Sequence, residues 1–166
     1  MQENKAIEIL KSAMLLEMRG KAFYRSAASQ SSNPAIKQFF EIMAEEEDYH
    51  IKILSDQYKA FKESGKFTAA SYAKASPAVA TAVLNEAIRE KIQSAGFESA
   101  AIQAAMSMEE RAIRLYGDRA RETAEPEERK LYEWLSDWEK GHLSLLMDMD
   151  RELTEKIWND NQFWPF

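Results

Sequence analysis

The chain carries only two histidines, and each sits three residues after a glutamate, in Glu47-Asp48-Tyr49-His50 and in Glu139-Lys140-Gly141-His142. Residues three apart on a helix lie on nearly the same face, so each Glu-x-x-His offers a carboxylate and an imidazole to a common point. A lone pair of this kind is ordinarily a surface glutamate beside a partly buried histidine. Two pairs that use every histidine of the protein carry more weight. Two Glu-x-x-His helices, with one further glutamate from each of two other helices, make up the ligand set of a dinuclear carboxylate site in a four-helix bundle. Glu17 and Glu109 are the candidates for those further glutamates. They follow Ala13-Met14 and Ala105-Met106 by one helical turn. A carboxylate on such a face points inward, which is costly without a partner.

Charge balance favours metal at these six residues. Four carboxylates bring four negative charges, two divalent ions cancel them, and neutral imidazoles add nothing. Without metal, the same core holds mutually repelling carboxylates that must take up protons. Hard oxygen ligands with one nitrogen per ion suit iron or manganese, and zinc can also occupy such a site. With both ions bound, the formal charge moves from −6 to about −2.

Tyr24 and Tyr116 lie seven residues after Glu17 and Glu109. Two helical turns put each phenol on its glutamate's face, roughly 10 Å along. Either the hydroxyl bonds a carboxylate behind the metal ligands or supplies an electron or proton, or each is a core tyrosine with a satisfied hydroxyl. The run Glu45-Glu46-Glu47 reads as a solvated helix edge apart from Glu47. Gly141, inside a helix beside His142, marks either a local bulge or a close approach to the site.

These residues belong to an internal repeat. An offset of 92 residues superimposes Glu17 on Glu109, Tyr24 on Tyr116, Pro34 on Pro126, Glu47 on Glu139 and His50 on His142, with no gap. The repeat spans 5–57 and 97–149, two helical hairpins within a single domain, 1–166.

The elements that carry the repeat are helices. Ala, Glu, Lys, Leu, Met and Arg dominate, and five glycines and four prolines punctuate. Ile7, Leu10, Met14 and Ala22 fit a 3.6-residue period over roughly 4–30. Asn33 caps and Pro34 starts a second helix that runs to about Glu63 and ends at Gly65. A third helix is predicted over about 98–123, and a fourth from Pro126 to about Leu153. Residues 65–97 form a long crossover with a short extra helix, from about Ala78 to Ile92. Residues 154–166 form an aromatic tail that packs on the bundle or on a partner subunit.

Composition excludes other chemistries. Zero cysteine removes disulfides, thiolate metal sites, iron–sulfur clusters and thiol nucleophiles. With 22 basic against 28 acidic residues there is no surplus of cationic groups to track phosphates, which argues against nucleic acid. The longest apolar stretch, about Ala78 to Leu84, is far short of the roughly 20 residues of a membrane span, and the start lacks a secretory pattern. A cytoplasmic protein is expected.

The motifs Glu17-x6-Tyr24, Glu47-x-x-His50, Glu109-x6-Tyr116 and Glu139-x-x-His142 resemble the ferritin-like superfamily and, within it, the rubrerythrin-type di-iron carboxylate proteins. The resemblance implies an all-α, up-down-down-up four-helix bundle with two iron ions at its centre. It also implies reaction with peroxide or dioxygen, a part in oxidative stress, and a homodimer. Rubrerythrins carry an additional glutamate three residues after the third-helix ligand, where this chain has Ala112. The ligand set is thus the six-residue one, closer to bacterioferritin. Without cysteine the chain has no rubredoxin-type iron of its own, so an external electron donor such as a rubredoxin-like protein is implied. Three readings follow: an oxidoreductase that reduces peroxide or dioxygen, an iron-handling protein with ferroxidase activity, and an interaction scaffold with a vestigial site.

Overall fold

The computed structural model describes residues 2–73 and 96–160. Four helices make up this part: α1 (Gln2–Gln30), α2 (Pro34–Ser64), α3 (Phe97–Glu122) and α4 (Pro126–Asp160). Local chemistry sets their ends. The Asn33 side chain accepts from the backbone N–H groups of Ala35 and Ile36 at 2.9 and 3.2 Å, with Pro34 in the first turn. Gly65 closes α2 at φ 69°, a left-handed conformation that suits glycine, and its N–H bonds Phe61 O at 2.8 Å. Glu125, just before Pro126, accepts from the Glu128 N–H at the start of α4.

α1 packs along α2 and α3 along α4, and the two hairpins meet through α1 and α3. Cross-contacts give the direction. Tyr24 reaches Glu109 while Tyr116 reaches Glu17, so the later residue of each helix meets the earlier residue of the other. α1 and α3 are therefore antiparallel. With two antiparallel hairpins this is the up-down-down-up order, and α2 and α3 run the same way. The end of α2 and the start of α3 therefore lie toward opposite ends of the bundle.

The first residues after α2 are described. Phe67 packs on Phe61 with ring centroids 5.0 Å apart, and Gln57 exchanges two hydrogen bonds of 3.0 Å with the Thr68 backbone. Tyr72 stacks on Trp134 of α4 at 4.9 Å, and the Trp134 indole N–H donates to Ala73 O at 2.6 Å. The predicted short helix at 78–92 and the end of the predicted tail, 161–166, lie outside the described residues. α4 does not stop at Leu153 but runs on through Asp160. No glycine or proline falls between Leu153 and Asp160 to end it.

The buried stripe of α1 is Ala6, Leu10, Ala13, Glu17, Gly20, Tyr24 and Ala27. Ala22, assigned to this stripe from the sequence, is exposed. The stripe passes through a glutamate and a glycine at its centre, so apolar residues alone trace it poorly. The same stripe recurs in α3 at the repeat offset: Glu98, Ile102, Ala105, Glu109, Ala112, Tyr116 and Arg119 are all buried. Two apolar clusters result. One holds Tyr24, Phe39, Phe40, Met43, Ile102 and Leu146, and the other holds Leu10, Leu54, Tyr116, Leu131, Tyr132 and Leu135. The glutamates and histidines form a polar layer between them. Among the described residues, no helix is long and apolar enough to cross a membrane.

Candidate metal centre

All six ligand candidates converge in that layer. Glu17, Glu47, His50, Glu109, Glu139 and His142 are each at most 3% exposed. Their ligand atoms fall into two overlapping groups, Glu17, Glu47, His50 and Glu139, and Glu47, Glu109, Glu139 and His142, each within 4.8 Å. Glu47 and Glu139 belong to both. Each group thus pairs one imidazole and one carboxylate of its own with two shared carboxylates, an arrangement that the spacing alone did not disclose.

The contacts are those of ligands aimed at a common point. His50 Nδ1 lies 3.0 Å from Glu139 Oε1 and 3.2 Å from Glu17 Oε2, and His142 Nδ1 lies 2.8 Å from Glu139 Oε2. Yet among the described residues both Glu139 oxygens and His142 Nδ1 have no hydrogen-bond partner, because the directions are wrong for N–H···O. Buried polar atoms are normally paired. Close approach without hydrogen-bond geometry, in a set of hard oxygens with one nitrogen per group, fits a pair of metal ions.

Electrostatics agree. Burial, and then the negative charges of Glu17 and Glu139, push the Glu47 carboxyl well above its ordinary range. Burial and Glu139 raise Glu109 to about 7. Burial alone would depress both imidazoles, but the facing carboxylates, Glu139 foremost, hold His50 and His142 well above the usual histidine value. Burial likewise works against the charge on Glu139, and the two imidazolium charges overcome it and hold its carboxyl low. Without metal, protons do the neutralising, and metal binding must expel them.

The tyrosines bond the ligand candidates themselves, each across the bundle. The Tyr24 hydroxyl donates to Glu109 Oε1 and the Tyr116 hydroxyl to Glu17 Oε1. Both phenols are fully buried, and burial together with these carboxylates pushes their pKa values well above 10, so they stay protonated and act as donors. Gly20 has a defined purpose here. A Cβ at this position would lie 3.3 Å from Glu47 Cδ and Oε1, so glycine lets the carboxylate lie against α1. Its counterpart is Ala112. The two small residues line, with Leu16, Met108 and the four carboxylates, a small cavity between α1 and α3.

Two sequence readings need correction. Glu46 is not simply part of a solvated edge. Its Oε2 lies 2.6 Å from His142 Nε2 and accepts the Trp138 indole N–H at 2.8 Å. Burial works against the Glu46 charge, but these contacts lower its pKa and keep it ionised. The signal available in the sequence was the offset itself, which sets Glu46 against Trp138, a mismatch directly beside a ligand pair. Gly141 marks neither a bulge nor a close approach. α4 is continuous there, and among the described residues nothing lies within 4 Å of where its Cβ would be.

A family model described as Rubrerythrin matches residues 8–149. Comparison with curated proteins and with solved structures finds no match.

Proposed function

From the premise that this chain belongs to the rubrerythrin family, we propose that it is a di-iron oxidoreductase that reduces peroxide or dioxygen with electrons from an external donor such as a rubredoxin-like protein. Manganese or zinc could fill the same ligands. The observation that carries this reading is the sharing of Glu47 and Glu139 by two ligand groups that each contain one histidine. A single-ion site needs no shared pair, and a vestigial site has no reason to keep six convergent buried ligands.

Glu17, Glu47 and His50 would hold one ion and Glu109, Glu47 and His142 the other, with Glu139 common to both. A di-iron pair held there would supply the redox chemistry, two electrons for a peroxide that also takes up two protons. The chain's own part is to place and to protect. Tyr24 and Tyr116 fix the outer carboxylates by donating to Glu109 and Glu17, and they keep a proton within reach of each. Gly20 leaves Glu47 room to change its orientation as the charge of the centre changes. Leu16 and Met108 give the carboxylate cavity apolar walls, which suits a small, weakly polar oxidant approaching between α1 and α3. The two apolar clusters exclude water from the ends of the layer.

Ala112 favours a second reading. It stands where rubrerythrins add a glutamate, and a fixed six-ligand set also suits oxidation of ferrous ions for iron handling. One experiment separates the readings. Protein loaded anaerobically with Fe(II) is mixed with peroxide in the presence of a reduced rubredoxin-like donor. Many equivalents of peroxide consumed per chain is the oxidoreductase result. A single oxidation of the bound iron followed by arrest is the iron-handling result.

A further inference from the structure

The two ligand groups come from one repeat, yet their imidazoles have different surroundings. His142 turns its outer nitrogen, Nε2, to Glu46 Oε2 at 2.6 Å. A carboxylate can only accept, so Nε2 keeps its N–H, and the Trp138 indole, 3.1 Å from Nε2 but 2.8 Å from Glu46 Oε2, gives its proton to the carboxylate. Nδ1 is then the nitrogen that sheds its proton to take a metal. His50 is just as buried, but among the described residues its Nε2 has no hydrogen-bond partner. Trp134 and Trp138 stand T-shaped against its ring, with centroids 5.5 and 5.2 Å away. One substitution within the repeat accounts for the difference. Glu46 corresponds to Trp138, so beside His50 an indole occupies the place of the acceptor that serves His142. That indole also donates to Glu46 at 2.8 Å and holds it in position.

An outer acceptor fixes the tautomer and orientation of a ligating histidine and raises its basicity. To bind through Nδ1, His50 must keep an Nε2–H with no acceptor, a cost that His142 escapes. We propose that the two metal positions are inequivalent and fill in order, the His142 position first, and that Glu46 is the positioning residue that sets the order. This rests on the dinuclear reading above and goes beyond it by ranking the two positions.

Two histidines make the test simple. Metal-free protein labelled with 15N-histidine is titrated with Zn(II), and the imidazole nitrogens are followed by NMR, His50 being recognised by its proximity to Trp134. The His142 signals should move during the first equivalent and the His50 signals during the second, with affinities about 10–100-fold apart. In Glu46→Gln and Glu46→Ala the first step should weaken toward the second, while the circular dichroism of the zinc-free protein stays that of the parent. Imidazoles that respond together, or His50 first, would overturn the order. An unchanged gap in both folded variants would overturn the role of Glu46. If neither imidazole responds by two equivalents, the dinuclear reading fails, and this inference with it.

Discussion

At the polar layer, residues of α1 and α3 at the repeat offset do the same work. Glu17 accepts from Tyr116 and Glu109 from Tyr24, and Gly20 and Ala112 give both sides of the carboxylate cavity a small residue. Along α2 and α4 the glutamates and histidines keep the symmetry, but the residues behind them do not. Glu46 faces His142, whereas two indoles surround His50. The same break appears away from the site. Arg119 donates to Glu128 through Nε at 2.8 Å and Nη2 at 2.7 Å, a buried ion pair whose counterparts are the apolar Ala27 and Ile36. A duplicated scaffold can thus keep its ligands in register while each half acquires its own supporting contacts.

Shared and unshared ligands should differ when they are removed one at a time. Glu139→Ala should abolish the binding of both ions, and Glu17→Ala should spare the ion held with His142. Elemental analysis after loading reads the difference directly. Equal loss from the two variants would deny that Glu139 is shared.

Acidity acts on the whole layer. The Glu109 carboxyl is raised to about 7 from an ordinary value of 4.5, so between those values the folded, metal-free protein binds more protons than the unfolded chain. Its stability should therefore be greatest below pH 4.5 as far as this group is concerned, and should fall by on the order of 3 kcal/mol as pH rises to about 7. The raised histidines have the same sign and the lowered Glu139 the opposite one. Metal-loaded protein should lose this decline, because ions replace the protons. Denaturant titrations of both forms at pH 5 and pH 7.5 measure it.

The symmetric face makes a smaller and sharper demand. Tyr24→Phe and Tyr116→Phe each remove one buried donor to a carboxylate and should each cost about 1–3 kcal/mol in denaturant unfolding. The two losses should match. The smallest effect separates two helical glycines. Gly141→Ala meets none of the described residues and should stabilise by about 1 kcal/mol. Gly20→Ala should gain less, because its Cβ would press on Glu47 at 3.3 Å.

Much of this was legible in the sequence. Asn33-Pro34, Gly65 and Pro126 mark helix ends because their backbone chemistry is local. The six ligand candidates stand out because a repeat places both histidines and their glutamates in register. What escaped depends on contacts between helices. Which glutamates are shared, and which tyrosine serves which carboxylate, follow from helix direction and packing. Glu46 hid in an acidic run, because one-dimensional charge does not tell a solvated glutamate from one folded back on a histidine 96 positions away. Ala22 misled because the inward stripe of α1 is interrupted by Glu17 and Gly20. The length of α4 was missed because no breaker marks its end before Asp160.

If six side chains hold two ions through a shared pair of carboxylates, an anomalous-difference map from iron-loaded crystals will show it. Two peaks about 3.5–4 Å apart, each beside one histidine and both flanked by Glu47 and Glu139, are the expected result. A single peak, or peaks that leave either Glu47 or Glu139 uncoordinated, would contradict it.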